Sequence, residues 1–196
     1  GSHHDILLFD KSSNSPLWTY DSDSNVYEVE ITADGEYIAS GDYDGNIRLF
    51  GKDSNTPLWT YGNGEPITAL DISANGETIA AYGLLKMYVF DKESSTPSWS
   101  YSVDRCDSLA LSQDGKYIAL GRNYNSGDSE GKIYFFDSSN SVPLWIVGVD
   151  GGINSVSISA DSEYVVVGTE DSDDSIYTFK NSLVDRPSII PYGPRS

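Results

Sequence analysis

A single cysteine, Cys106, stands in 196 residues, so no disulfide within the chain can staple the fold. Histidine is almost as scarce. His3 and His4 both lie in the opening Gly1-Ser2-His3-His4, which has the look of a tag remnant and is set aside from the fold (residues 1–4). No imidazole is then left elsewhere for a base, a triad or a metal site. Basic residues are few: 12 Lys and Arg against 30 Asp and Glu give a net charge of −18, which argues against a nucleic-acid partner. No run of 18 apolar residues occurs, so no membrane insertion by a helix is expected. Helical periodicity is also missing, because no segment runs ten residues without a turn signal. What remains is a chain rich in Asp, Ser, Asn and Tyr. That mix suits an extracellular or cell-surface protein, with a salt-adapted cytoplasm as the alternative.

What the sequence does contain is repetition. Pro16-Leu17-Trp18-Thr19-Tyr20 returns unchanged at 57–61 and in weaker form at 97–101 and 143–147, so that Trp18, Trp59, Trp99 and Trp145 follow at steps of 41, 40 and 46. A strand-like run ending in Phe recurs at 6–9, 47–50, 87–90, 133–136 and 176–179, with the same first three steps and then 43. A turn signal forms the third marker: Asp34-Gly35, Asn75-Gly76, Asp114-Gly115 and Asp161-Ser162, each between two apolar runs. In the run before that turn, Val29 and Ile31 correspond to Leu70 and Ile72, Leu109 and Leu111, and Val156 and Ile158, a period of two that predicts one buried face. The run after it (YIASG, TIAAY, YIALG, YVVVG) is small and apolar enough to be covered on both faces. Four strands in about 40 residues, unable to bury their faces alone, predict a β-propeller blade.

The expectation is therefore an all-β fold of four-stranded antiparallel blades at about 25–61, 66–101, 106–147 and 153–180, plus an N-terminal strand pair at 5–20, in one domain spanning 5–180 with a tail at 181–196. One strand is surplus. Residues 16–20 could close a four-bladed ring as the last blade's fourth strand, with 188–192 as a rival, or two arcs could complete a larger ring as a homodimer.

The run from Val29 to Phe50, VEITADGEYIASGDYDGNIRLF, resembles the WD-repeat family. The family's closing Trp-Asp is replaced by Phe9-Asp10, Phe90-Asp91 and Phe136-Asp137, and by Phe50-Gly51 and Phe179-Lys180, and the histidine of its buried tetrad is missing. The Trp placed nine residues after each of the first four Phe positions also resembles the tryptophan-docking blades of quinoprotein, or PQQ-type, propellers. The resemblance implies that each Trp wedges between adjacent blades. Burying such a side chain removes about 150–250 Å² from water, up to roughly 4–6 kcal/mol before entropy is charged against it. The resemblance does not bring the quinone, whose pocket in that family needs a larger ring and often a vicinal disulfide.

Catalytic signatures are lacking: there is no Gly-x-Ser-x-Gly, no Cys–His pair and no phosphate-cradling glycine loop. Two acidic clusters have the oxygen-rich character of a calcium site, Asp42 and Asp44 beside Asn46, and Glu170 with Asp171, Asp173 and Asp174. The competing reading is a pair of solvated hairpin turns, and the corresponding stretch of the second repeat is YGLLK. The one length irregularity is the insertion at 123–131, which offers Asn123, Tyr124, Asn125, Asp128 and Glu130 as a partner-contact loop. These features lead to the expectation of a non-enzymatic propeller scaffold for a protein or glycan partner, within a larger surface or sensor protein, with no cofactor beyond a structural Ca2+. The alternative is a fragment of a quinoprotein-like propeller enzyme whose active site lies in other blades.

Overall fold

The computed structural model describes residues 4–124, 130–170 and 175–181, together with the strand Ile189–Pro191, and every regular element among them is a β-strand. Strands β1 (Asp5–Phe9) and β2 (Pro16–Asp21) form a two-stranded sheet. Blade 1 follows as β3 (Val26–Ile31), β4 (Tyr37–Asp42), β5 (Asn46–Gly51) and β6 (Trp59–Gly62). Blade 2 comprises β7 (Ile67–Ile72), β8 (Thr78–Gly83), β9 (Lys86–Asp91) and β10 (Trp99–Ser102). Blade 3 is built from β11 (Cys106–Leu111), β12 (Tyr117–Arg122), β13 (Glu130–Asp137) and β14 (Pro143–Asp150). Blade 4 holds β15 (Gly152–Ile158), β16 (Tyr164–Glu170), β17 (Ile176–Lys180) and β18 (Ile189–Pro191). Each blade is an antiparallel meander with strands bonded in sequence order.

The turn between the first two strands of each blade explains the Asp-Gly marker. In blade 1 the Thr32 hydroxyl donates to Asp34 Oδ1 (2.6 Å), the same oxygen accepts from the Glu36 N–H (3.0 Å), and Gly35 sits at φ +74°. Ser112 with Asp114 and Ser159 with Asp161 repeat the arrangement, each at 2.6 Å. These hydroxyls hold the Asp34, Asp114 and Asp161 carboxyls below their ordinary range.

The core lies between blades rather than within one. Ala39, Ile47 and Leu49 of blade 1 pack on Ile67, Leu70, Ile72 and Phe90 of blade 2, all buried. Corresponding layers join blade 2 to blade 3 and blade 3 to blade 4. A smaller layer, Ile6 with Ile38 and Phe50, seats the N-terminal pair on blade 1. Asp71, on the innermost strand of blade 2, accepts the Leu111 N–H of blade 3 at 2.7 Å and the Ile72 N–H at 2.7 Å.

Burial raises the Asp71 carboxyl above its ordinary value of 3.8, opposite to the turn aspartates. Below 3.8 Asp71 is protonated folded or unfolded and costs nothing. As pH rises from there through its folded value, the native state holds the extra proton and stability falls. The turn aspartates contribute stability above 3.8 that is lost as pH falls through their folded values. An NMR titration of carboxyl carbons is expected to place Asp71 above 3.8 and Asp34, Asp114 and Asp161 below it. One common midpoint would contradict this.

The ends of the array differ from its interior, and this corrects three expectations. Residues 16–20 are not the last blade's fourth strand: β2 bonds β1, and β18 bonds the outer edge of β17. Blade 4 packs extensively on blade 3 and on no other sheet, so among the described residues the blades form an open arc. Val29 and Ile31, expected on a buried face, are 47% and 50% exposed, while Leu70 and Ile72 are 4% and 7%. The physical reason is that β1 and β2 occupy the places of a third and fourth strand, and among the described residues no inner strands of a preceding blade stand on the side of β3 away from blade 2. Likewise β16 is not covered on both faces, for Val166 is 39% exposed where Ala39, Ala80 and Ala119 are buried.

Candidate functional site

The four tryptophans stand where the sheets diverge. Trp18 stacks on Phe50 of blade 1 (centroids 5.6 Å) and Trp59 on Phe90 of blade 2 (5.4 Å), while Trp99 meets Phe136 of blade 3 with its ring tilted (5.7 Å). Each of these indoles donates its N–H to the carbonyl two residues after that Phe: Lys52 (2.8 Å), Lys92 (2.7 Å) and Ser138 (2.7 Å). Trp145 lies between Phe135 of its own blade (4.8 Å) and Phe179 of blade 4 (5.9 Å), with no such hydrogen bond among the described residues. The spacing of nine residues sets this geometry, because it lets the third strand end, the chain turn, and the fourth strand begin with Trp facing the next sheet.

The acidic candidates separate. Asp42 is fully buried and its Oδ2 pairs with Arg48 Nη1 at 2.6 Å, while Asn46 donates to both carboxylate oxygens (3.0 and 3.2 Å). Asp44 is exposed in the adjoining turn, so the two carboxylates do not converge on one point. Gly45 at φ +84° closes that turn, and a Cβ there would stand 2.6 Å from the Glu65 backbone. Glu170 is exposed at the end of β16. Asp171, Asp173 and Asp174 lie outside the described residues. Among the described residues no three His, Cys, Asp or Glu side chains gather as a metal site.

The insertion leads to a cleft. Asn123 and Tyr124 follow β12, Glu130 opens β13, and Asn125 and Asp128 lie outside the described residues. The Asn123 N–H donates to the Arg105 carbonyl (2.7 Å), its Nδ2 donates to Asp107 Oδ2 (3.0 Å), and its Oδ1 accepts the Tyr124 N–H (2.8 Å). These bonds fix Tyr124, 43% exposed, on one wall of a cleft of about 530 Å³ between blades 2, 3 and 4. Glu130 is exposed and does not line it. Leu84, Arg105 and Glu170 line the rest of the rim, and buried Tyr82 and Cys106 form the floor.

The floor is chemically quiet. The Tyr82 hydroxyl lies 2.6 Å from the Leu84 carbonyl and 2.9 Å from that of Val103, and burial pushes both this phenol and the Cys106 thiol well up from their ordinary values. A thiol held so firmly protonated is a poor nucleophile.

Arg105 is the group that reading the sequence missed. Its side chain is exposed, makes no ion pair among the described residues, and rides on a backbone at φ +54°, a left-handed conformation that costs about 1–2 kcal/mol outside glycine. A signal was present: Arg105 is the only basic residue in the links between blades at 21–25, 62–66, 102–106 and 148–152.

Four-stranded blades wedged by tryptophan define a β-propeller fold. Residues 14–51 match the family described as WD domain, G-beta repeat. Among solved structures, a chain from "Crystal Structure of Mitotic Checkpoint Complex" is similar with a TM-score of 0.78 and 16% identity over 94% of this chain and 59% of that one. A chain of the Kuenenia stuttgartiensis hydrazine synthase is similar with a TM-score of 0.77 and 12% identity over 96% of this chain and 60% of that one. The chain thus spans about three fifths of the length of both, and the likeness is one of fold. No curated protein matches the sequence significantly.

Proposed function

We propose that this protein is a non-catalytic interaction scaffold that takes a protein partner on its loop face, in the cleft between Arg105 and Tyr124. The observation that carries the reading is Arg105, an exposed cation with no ion pair among the described residues in a chain of net charge −18, set beside an anchored tyrosine and the exposed Leu84. Arginine and tyrosine on a concave, partly apolar patch are the residue types that dominate binding energy at protein interfaces. The partner that fits presents a carboxylate to Arg105 and an apolar side chain to Tyr124 and Leu84. The protonated floor and the Asp42–Arg48 pair support a binding rather than a chemical or metal-dependent role.

The test compares the wild-type chain with Arg105→Glu and Tyr124→Ala as bait, and then measures the affinity of the captured protein. Each variant is expected to weaken binding about 30-fold, the equivalent of about 2 kcal/mol, with melting unchanged. Equal affinity for all three baits would overturn the cleft as the site.

A further inference from the structure

The apolar residues exposed at the two ends of the arc differ from those exposed along it. Leu17, Leu58 and Leu144 occupy one repeat position and are exposed in three repeats, so their exposure belongs to the repeat. Val29 and Ile31 at one end, and Val166 at the other, are exposed only where the array stops. The interior interfaces show what covers such positions: strands one and two of the preceding blade lie over Leu70 and Ile72, and the following blade lies over Ala39.

The two ends are complementary halves of one blade. β1 and β2 form an outer half, a Phe-ended strand and a Trp strand, seated on blade 1 through Trp18 and Phe50. Among the described residues the edge of β1 away from β2 has no strand beside it. Blade 4 has a full inner half, β15 and β16, but among the described residues its outer half is the least developed: β17 has five residues, β18 has three and carries no Trp. In β16, Val165 pairs with Phe179, Val166 with Thr178 and Val167 with Tyr177. Phe9, Leu8 and Leu7 correspond to those three partners in the repeat, so β1 can replace β17 without a change of register.

The geometry points to a second copy of this chain as the occupant: β1–β2 of one copy add to β16 of another in place of β17–β18. Done reciprocally, this gives a two-fold ring of eight blades. Phe9 (51% exposed) then takes the place of Phe179 under Trp145, Leu7 (46% exposed) takes the place of Tyr177 beside it, and Val166 of one copy covers Val29 and Ile31 of the other. Exchange of an equivalent element in this way adds cover at both ends with little new backbone conformation, and it removes the open edge of β1. Closure within one copy is disfavoured by the curvature of the arc, in which blade 4 packs on blade 3 and the N-terminal pair on blade 1 with no extensive contact between these two ends. This inference is independent of the partner cleft.

The experiment is light scattering on a sizing column over a 100-fold range of concentration, with disulfide trapping. The wild-type chain is expected at twice the chain mass. When Leu8→Cys and Val166→Cys chains are mixed and mildly oxidised, they are expected to give a crosslinked pair that neither forms alone. Leu7→Glu, at a position exposed in the single copy, is expected to remain folded by circular dichroism and to run as a monomer. A wild-type monomer at every concentration with no mixed crosslink would overturn the inference and leave the end faces to other blades. A monomer that crosslinks internally when both cysteines share one chain would overturn it in favour of closure within a single copy.

Discussion

Replacing Trp59 with alanine is expected to destabilise the protein by about 3 kcal/mol, the lower part of the range for truncating a large aromatic side chain, because Trp59 is half-buried rather than fully enclosed. Three contributions disappear together. The stack on Phe90 at 5.4 Å is lost, the cover that the indole gives to the blade 1–blade 2 layer goes with it, and the Lys92 carbonyl loses its donor. Trp59→Phe separates the terms, since the ring is retained and only the hydrogen bond vanishes, a loss of about 1 kcal/mol. Among the described residues each blade packs mainly on its neighbours, so the alanine variant is expected to weaken one junction and to broaden the urea transition as cooperativity between blades falls. Urea unfolding followed by circular dichroism reads both effects. A loss below about 1 kcal/mol for Trp59→Ala would remove the wedge reading and free the tryptophans for another role.

Asp42→Ala is expected to cost more, about 3–5 kcal/mol, the range for breaking a buried ion pair on one side. The Arg48 guanidinium is 8% exposed, and without Asp42 it would be a buried cation lacking its carboxylate. It also lies 5.4 Å from the Tyr20 ring, so disorder at Arg48 would loosen the N-terminal pair from blade 1. The double variant Asp42→Ala with Arg48→Met is expected to recover more than half of the loss, because removing both charges removes the desolvation cost with the attraction. Thermal melting of the two variants decides the matter. If Asp42→Ala were neutral, the carboxylate would not be committed to the fold, and the calcium reading of Asp42 would regain its ground.

Much of the fold could be read in the residues because each repeat spells the same local solution. The hydroxyl-Asp-Gly turn, the small-residue strand, the Phe-ended strand and the Trp nine residues later are short-range features, and all of them became the expected elements. Arg48 could not be read, because its partner lies six residues away across a hairpin and nothing in the linear pattern distinguishes a buried arginine from a solvated one. The cleft escaped for a related reason. Its walls come from three blades, and Tyr124 is fixed by Asn123, whose own partners sit on the link before β11 and on that strand.

The sequence by itself determined the blade: its strand order, its length, its turn chemistry and its wedge, since periodicity and spacing act within 40 residues. Tertiary structure alone decided which faces are covered. Val29 and Leu70 are equivalent in sequence, yet one is exposed and the other buried, because burial depends on whether another blade stands alongside. That depends on the curvature of the whole array and on which strands reach its ends, and a repeated local pattern holds no record of either.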